Sequence, residues 1–333
     1  MRLENVLALT HAKLINKPIV NNFENIVFEA RYIKRGDLFL AFHDEEIESA
    51  IANGAYGIIF SKPVQMSDSE IAWMQVQNIE DALKRLLRFR LIEKKVTTYT
   101  CDAITQKLAL QIITEPNFIV LKSDLQDISK MLWDIEEKST LLFCPDLCSS
   151  DIFTDIKELP KEISERINIV EKTLFESSFI YKDIFHERQF ISAFFIPYLE
   201  KLLQLFETLQ VNYRLRKFAA IEHFQAVFIN KNLEIKEFGA SDKVLIFEKN
   251  SEYVLEEMEF LEKNAPWAKI IMILPMGSTI NSKESHKIYH YRDEKEIFAL
   301  LKKHEFHFAL IAGVDKSILI SAHEAPKQLT LEF

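Results

Sequence analysis

The sequence predicts an α/β fold, and three observations carry that prediction. Apolar runs of strand length alternate with helix-periodic segments at both ends of the chain: Leu38–Phe42 and Tyr56–Phe60 early, Lys243–Phe247 and Ile270–Leu274 late. Turn residues punctuate these runs, as Gly36-Asp37 and Asn53-Gly54 do. The 333 residues, 48% hydrophobic and 27% charged, suffice for two or three domains with real cores, since a domain takes roughly 100–200 residues.

In chain order, Pro18-Ile19-Val20 reads as a first strand. Lys34-Arg35-Gly36-Asp37 reads as a turn in which glycine takes positive φ, leading into the strand Leu38–Phe42. Ile47, Ala50 and Ile51 have helical spacing, and Gly54 stops that helix. Tyr56–Phe60 and Trp73–Val76 read as strands. Asn78 is an N-cap for a helix whose apolar face is Ile79, Ala82, Leu83, Leu86 and Leu87. Its opposite face carries Lys84, Arg85, Arg88 and Arg90, a solvated face rather than a binding stripe.

Glu29-Ala30-Arg31, then Arg35-Gly36-Asp37-Leu38-Phe39, then a helix ending in Gly54-Ala55, resembles the N-terminal domain of the Mur ligases. These are the ATP-dependent enzymes that build the peptide of bacterial cell-wall precursors. The resemblance implies a three-domain architecture with a Rossmann-like C-terminal domain, and a first boundary near Lys94-Lys95. It also implies that Arg31 is a candidate contact to a UDP-muramoyl precursor. The serine that helps hold the uridine nucleotide in that family is Ala30 here, which removes a hydroxyl donor and acceptor. The turn after Phe42 is shortened to His43-Asp44-Glu45-Glu46.

Val96–Tyr99 supplies the strand that precedes the family's ATP loop, and Gln106–Ile113 the helix that follows it. Between them stands Thr100-Cys101-Asp102-Ala103-Ile104-Thr105-Gln106-Lys107, with both glycines of the loop gone and a carboxylate where phosphate would sit. Phosphate cradles need glycine so that backbone N–H groups can converge on the anion. The chain's 6 glycines stand at 36, 54, 57, 239, 277 and 313, too dispersed to build one. No cofactor is therefore expected, and Lys107 is the one residue through which an atypical nucleotide site could act.

The middle of the chain reads as a reduced, degenerate central domain over 95–220, with strands Phe118–Leu121 and Thr140–Phe143. The magnesium ligands and modified lysine that the resemblance implies find no counterpart. Cys144, Asp146 and Cys148 follow a strand end without a fourth ligand or CxxC spacing, so no metal is expected. Phe190–Leu209 carries an aromatic stripe through Phe194, Phe195, Tyr198 and Phe206, read as core or as a homodimer face; Pro197 predicts a break at Ile196.

From 221 to 333 the chain is α/β again. A hairpin is expected around Asn230-Lys231-Asn232, then the strand Lys243–Phe247 with Asn250-Ser251 capping a helix. Ile270–Leu274 and Phe308–Ala312 follow as strands, Asp293 with Glu296 as a capping box, and Ser317–Ile320 as a closing strand. The order resembles the C-terminal domain of the D-alanyl-D-alanine-adding branch of the family. Aligned without a gap, that branch's Asp-Ser-Tyr-Asn-Ala-Asn-Pro falls on Leu245–Ser251, and only Asn250 is retained. His286, after Pro275-Met276-Gly277, matches a family histidine. Asn250 and His286 thus join Arg31 as candidate ligand-binding residues, and no catalytic residue is identified.

A formal charge of −9 excludes the basic surface that nucleic-acid binding requires. No apolar window approaches the roughly 18 residues of a membrane span, and the first residues lack a signal-like apolar core. A cytoplasmic location is expected, with three reduced cysteines, Cys101, Cys144 and Cys148. The reading that results is a non-catalytic Mur-ligase-like protein that binds a UDP-N-acetylmuramoyl-peptide or the cell-wall ligase machinery. An active ligase with an atypical nucleotide site and a structural homo-oligomer are the alternatives.

Overall fold

The computed structural model describes residues 1–122, 125–145, 150–161, 164–278 and 287–319. The chain forms two compact units, Met1–Lys161 with Leu205–Tyr213, and Glu162–Gln204 with Arg214–Phe333.

The first unit holds two sheets. After helix α1 (Leu3–Thr10) come β1 (Lys13–Leu14), β2 (Ile26–Val27), β3 (Leu38–Leu40), α2 (Ile47–Ala52), β4 (Gly57–Phe60), β5 (Ala72–Gln75) and α3 (Ile79–Glu93). The strands run in the order β1-β5-β4-β3-β2, parallel except for β1. Every residue of β3 and β4 is buried, which is why both read as unbroken apolar runs rather than alternating ones. Gly36 precedes β3 at φ +103°, as the turn reading required. The expected strand at Pro18–Val20 is absent: Ile19 is exposed and its N–H bonds to the Glu70 carbonyl, while the first strand lies earlier, at Lys13–Leu14. Proline at 18 has no N–H for a ladder.

The second sheet of this unit comprises β6 (Thr97–Thr100), β7 (Phe118–Val120), β8 (Thr140–Phe143) and β9 (Ile156–Glu158), all parallel, ordered β7-β8-β6-β9. Helices α4 (Ala103–Ile112) and α5 (Leu125–Trp133) connect them. Asn78 accepts from the N–H groups of Glu80 and Asp81, so the cap of α3 is where the sequence put it. The apolar face of α3, Leu83, Leu86, Leu87 and Leu91, lies in one core with Met74 of the first sheet and Leu141 and Phe143 of the second. The expected boundary at Lys94-Lys95 therefore falls between two sheets that share their hydrophobic interior.

In the second unit, β10 (Asn168–Lys172), β11 (Ser177–Tyr181) and β12 (Ile184–Gln189) form an antiparallel sheet with β11 central. A short 3₁₀ turn, Ala193–Phe195, ends where α6 (Ile196–Leu209) begins, so Pro197 sits in the first turn of a new helix. Phe194, Phe195, Leu199, Leu202, Leu203 and Phe206 are buried; the stripe is core, not an open dimer face. Leu205–Tyr213 belong to the first unit, where Phe206 packs edge-on against Phe118.

The largest sheet follows: β13 (Gln225–Ile229), β14 (Lys243–Glu248), α7 (Val254–Asn264), β15 (Ile270–Pro275), β16 (Lys287–Tyr291), α8 (Glu294–Lys303) and β17 (Phe308–Ala312). The order is β13-β14-β17-β15-β16, parallel except for β13. Two expectations need correction here. The hairpin around Asn230–Asn232 reduces to a single Ile229–Ile235 bridge, because β13 pairs along its whole length with β14. Ser317–Leu319 forms a helical turn, initiated by Asp315 accepting from the Ser317 N–H, instead of a closing strand.

Candidate functional site

Three places bring polar groups to the ends of parallel strands. The first is the junction of β6 and α4. Only Cys101 and Asp102 separate them, and α4 begins three residues earlier than its periodicity indicated. Asp102 is the reason. One carboxylate oxygen accepts from the Thr105 N–H at 2.7 Å and the other from the Thr105 hydroxyl at 2.8 Å. A helix start leaves N–H groups unpaired and attracts anions; here the chain's own carboxylate is that anion. Beneath it Gln106 donates to the Leu121 carbonyl at 2.6 Å, fixing the turn from inside. Cys101 is buried, and desolvation, then Asp102 and Cys144, push its thiol well above the usual range, which makes it unreactive. Cys144 is likewise buried and free of any disulfide.

The second place is the loop Glu29–Tyr32, a 3₁₀ turn over Ala30–Tyr32. The Ala30 N–H donates to the Glu46 carboxylate at 2.8 Å, and Asn53 Nδ2 to the Ala30 carbonyl at 2.9 Å. In the sequence Glu46 is one acid of a shortened turn; in the fold its carboxylate stands beside Ala30. Arg31 points to solvent with 70% of its side chain exposed. It pairs with Glu29 and lies 4.8 Å over the Tyr32 ring; the Glu29 hydrogen bond and charge raise its pKa. Adjacent is a cleft of about 590 Å³ whose wall includes Phe28, Tyr32, Lys34, Lys130 and Trp133. Its two lysines face four carboxylates, Glu29, Asp37, Asp127 and Asp134, so it repels a diphosphate while offering acceptors to hydroxyl and amine groups. Lys130 Nζ covers the Tyr32 ring at 4.3 Å.

The third place is the carboxyl end of the large sheet, where ligands of open α/β sheets collect. Glu248 closes β14, fully buried. His223 Nδ1 lies 2.9 and 3.0 Å from its two oxygens, so that ring nitrogen must carry the proton. The N–H groups of Phe224 and Asn250 add bonds of 3.2 and 2.8 Å. Phe224 adopts φ +48°, an unusual conformation for a bulky residue, which these bonds hold in place. Glu257, in the first turn of α7, is also fully buried, with its carboxyl group against that of Glu248. Burial first, and the charge of Glu248 second, raise its pKa well above the ordinary carboxylate value, so it is a neutral acid.

Asn250 lies at the mouth of this cluster. Its side chain accepts from the Glu252 N–H at 3.0 Å and so caps the turn before α7, not the helix itself, which starts at Val254. Across the sheet end, Tyr291 donates to the Ala312 carbonyl at 2.7 Å and Lys249 pairs with Asp315 at 2.7 Å. Gly313 is at φ +81°, and a Cβ there would stand 3.0 Å from the Tyr291 hydroxyl. His286 lies outside the described residues, as do Asp146 and Cys148. Arg31 belongs to the first unit and Asn250 to the second. No group of three metal-binding side chains occurs among the described residues, and no described helix is long and apolar enough to cross a membrane.

No family model and no curated protein matches the sequence. Solved structures do match the fold. MurF from Acinetobacter baumannii aligns over 96% of this chain and 98% of its own, with a TM-score of 0.52 and 11% identity. MurF ligase from Thermotoga maritima, solved in complex with ADP, aligns over 90% and 95%, with a TM-score of 0.50 and 13% identity. The chain therefore has the α/β, multi-sheet fold of the Mur ligases, at an identity that speaks to fold alone.

Proposed function

We propose that this is a non-catalytic Mur-ligase-like protein of cell-wall precursor metabolism, acting by binding. One observation carries the reading: Asp102 occupies the start of α4, the position that the resemblance assigns to ATP phosphate. A phosphate entering there would have to displace a carboxylate with both oxygens bonded, across a connection of two residues that contains no glycine. Glu46 supports the same conclusion at the nucleotide end, because it takes up the Ala30 N–H. A ligand of this protein is then the sugar–peptide part of a UDP-N-acetylmuramoyl-peptide, held in the cleft beside Tyr32 and Trp133, with the ligase machinery as the alternative partner.

Calorimetric titration with a UDP-N-acetylmuramoyl-peptide, run beside ATP–magnesium, tests this. Precursor binding without ATP binding is the expected result. ATP binding that Lys107→Ala abolishes would overturn it in favour of an active ligase. Silence with both ligands would leave the ligase machinery as the partner.

A further inference from the structure

The basic face of α3 carries Lys84, Arg85, Arg88 and Arg90, and the fold sorts these cations. Lys84 pairs with Asp151 at 3.0 Å, Arg88 donates to the Asp151 carbonyl, and Arg90 donates to the Trp133 carbonyl and to Glu93. The Arg85 side chain has no hydrogen bond or ion pair among the described residues, and it lines a cleft of about 560 Å³ in the first unit. That cleft lies at the carboxyl ends of β4 and β5, with Ser61 just past one and Gln75 closing the other. Lys13 opens β1 opposite Gln75, and His11 ends α1 in the left-handed conformation, at φ +54°. Among the described residues the side chains of His11, Lys13, Ser61 and Gln77 are as unengaged as that of Arg85. Asp81 is the single acid in the wall. Two other clefts of this unit have the opposite balance. Lys34 and Lys130 stand among Glu29, Asp37, Asp127 and Asp134 in one, and Arg35 stands with Glu24, Asp68 and Glu70 in the other.

We propose that this cleft binds a small phosphate monoester whose body carries hydroxyl groups. Lys13 and Arg85 are permanent cations set on different elements, β1 and α3, in the walls of one cleft. One guanidinium suffices for a monoanionic carboxylate, whereas two cations match a dianion. Neither cation has an internal partner to give up when an anion arrives, unlike Lys84. Ser61, Gln75 and Gln77 offer hydroxyl and amide groups that both donate and accept, the complement of ligand hydroxyls. Val76 is the one apolar residue of the wall, so the body of the ligand is polar. The volume falls within the roughly 300–1,000 Å³ of small-molecule sites, and the carboxyl ends of parallel strands are where open α/β sheets bind ligands. Asp81 opposes an anion and gives the test a sign. The cleft shares no residue with the one beside Tyr32, so the inference is independent of whether a muramoyl precursor binds there.

The test is calorimetric titration of the full chain with glucose 6-phosphate, run beside inorganic phosphate, glucose and gluconate. A pH of about 8 keeps the phosphate a dianion. Glucose 6-phosphate should bind with a dissociation constant below about 1 mM, with glucose silent and gluconate weaker. Lys13→Ala and Arg85→Ala should each weaken it about tenfold, the loss of one charge-assisted contact. Asp81→Asn should tighten it severalfold by removing the opposing charge. All three side chains are exposed, so each variant should melt with the parent, which verifies folding. The proposal is overturned if neither glucose 6-phosphate nor inorganic phosphate binds, if K13A/R85A binds as the parent does, or if gluconate binds as tightly as glucose 6-phosphate.

Discussion

Asp102 and Glu257 both stand near the start of a helix that follows an interior strand, one in each unit. Asp102 is the N-cap of α4 after β6, and Glu257 lies in the first turn of α7 after β14. The helix dipole favours a negative charge at both. Asp102 is half-buried and has both oxygens bonded, so it serves as a cap. Glu257 is fully buried beside Glu248, and burial first and that neighbour's charge second keep its proton on. The difference teaches that a helix start selects for an anion only while the group stays partly solvated; when it is fully buried beside a second carboxyl group, desolvation exceeds the dipole's contribution of about 0.3–1 kcal/mol.

The sharpest way to break this comparison is to remove the side chain that bonds both Glu248 oxygens. His223→Ala leaves a buried carboxylate with two backbone donors and no counter-group, and should cost about 3–5 kcal/mol in urea unfolding at pH 7. A loss below about 1 kcal/mol would mean that the two backbone donors suffice to satisfy Glu248 without His223. Glu257→Met acts in the opposite direction. It deletes a buried acid set against a second carboxyl group and should stabilise by about 1–3 kcal/mol at pH 7.

The pH dependence has a definite sign. A carboxyl whose pKa is raised on folding contributes its stability below the ordinary value of 4.5 and loses it as pH rises through the folded value. Unfolding free energy measured from pH 4.5 upward should therefore decline in the parent relative to Glu257→Met. Parallel curves for the two proteins would assign Glu257 an ordinary pKa.

What the sequence revealed, and what it hid, follows the same division. Buried strands such as Leu38–Leu40 and Ile270–Pro275 were legible because their apolar runs are local and nothing competes with them. The caps at Asn78 and Asp293 were legible because an N-cap and its targets lie within three residues. Asp102 is visible in the sequence as a misplaced charge, but its capping role is not, since the apolar periodicity starts the helix only at Gln106. The bond between His223 and Glu248 spans 25 residues and depends on where β14 ends, which no local pattern encodes. Glu257 was hidden for a similar reason: α7 also carries Glu256, Glu259 and Glu262, and only the fold decides which one is buried. A glutamate closing an otherwise apolar strand, as Glu248 does, was the one available signal.

Smaller effects sharpen the comparison in the first unit. Asp102→Ala removes the cap of α4 and should cost about 1–2 kcal/mol, while Asp102→Asn, which keeps an acceptor for the Thr105 N–H, should cost less than half of that. Neither variant should acquire ATP binding, because the two-residue connection still lacks glycine. A calorimetric signal with ATP–magnesium in Asp102→Ala alone would show that the carboxylate was the only obstacle.

The smallest effect belongs to Arg31. Its side chain is 70% exposed and its partner Glu29 is 45% exposed, so water screens the pair and its loss leaves the melting temperature unchanged. Arg31→Ala therefore separates stability from recognition. If a muramoyl-peptide titration weakens severalfold while the melting curve stays in place, Arg31 contacts the ligand directly. If both stay in place, the ligand is held by the Tyr32–Trp133 side of the cleft, and the Arg31 position retains only the outline of its counterpart in the Mur ligases.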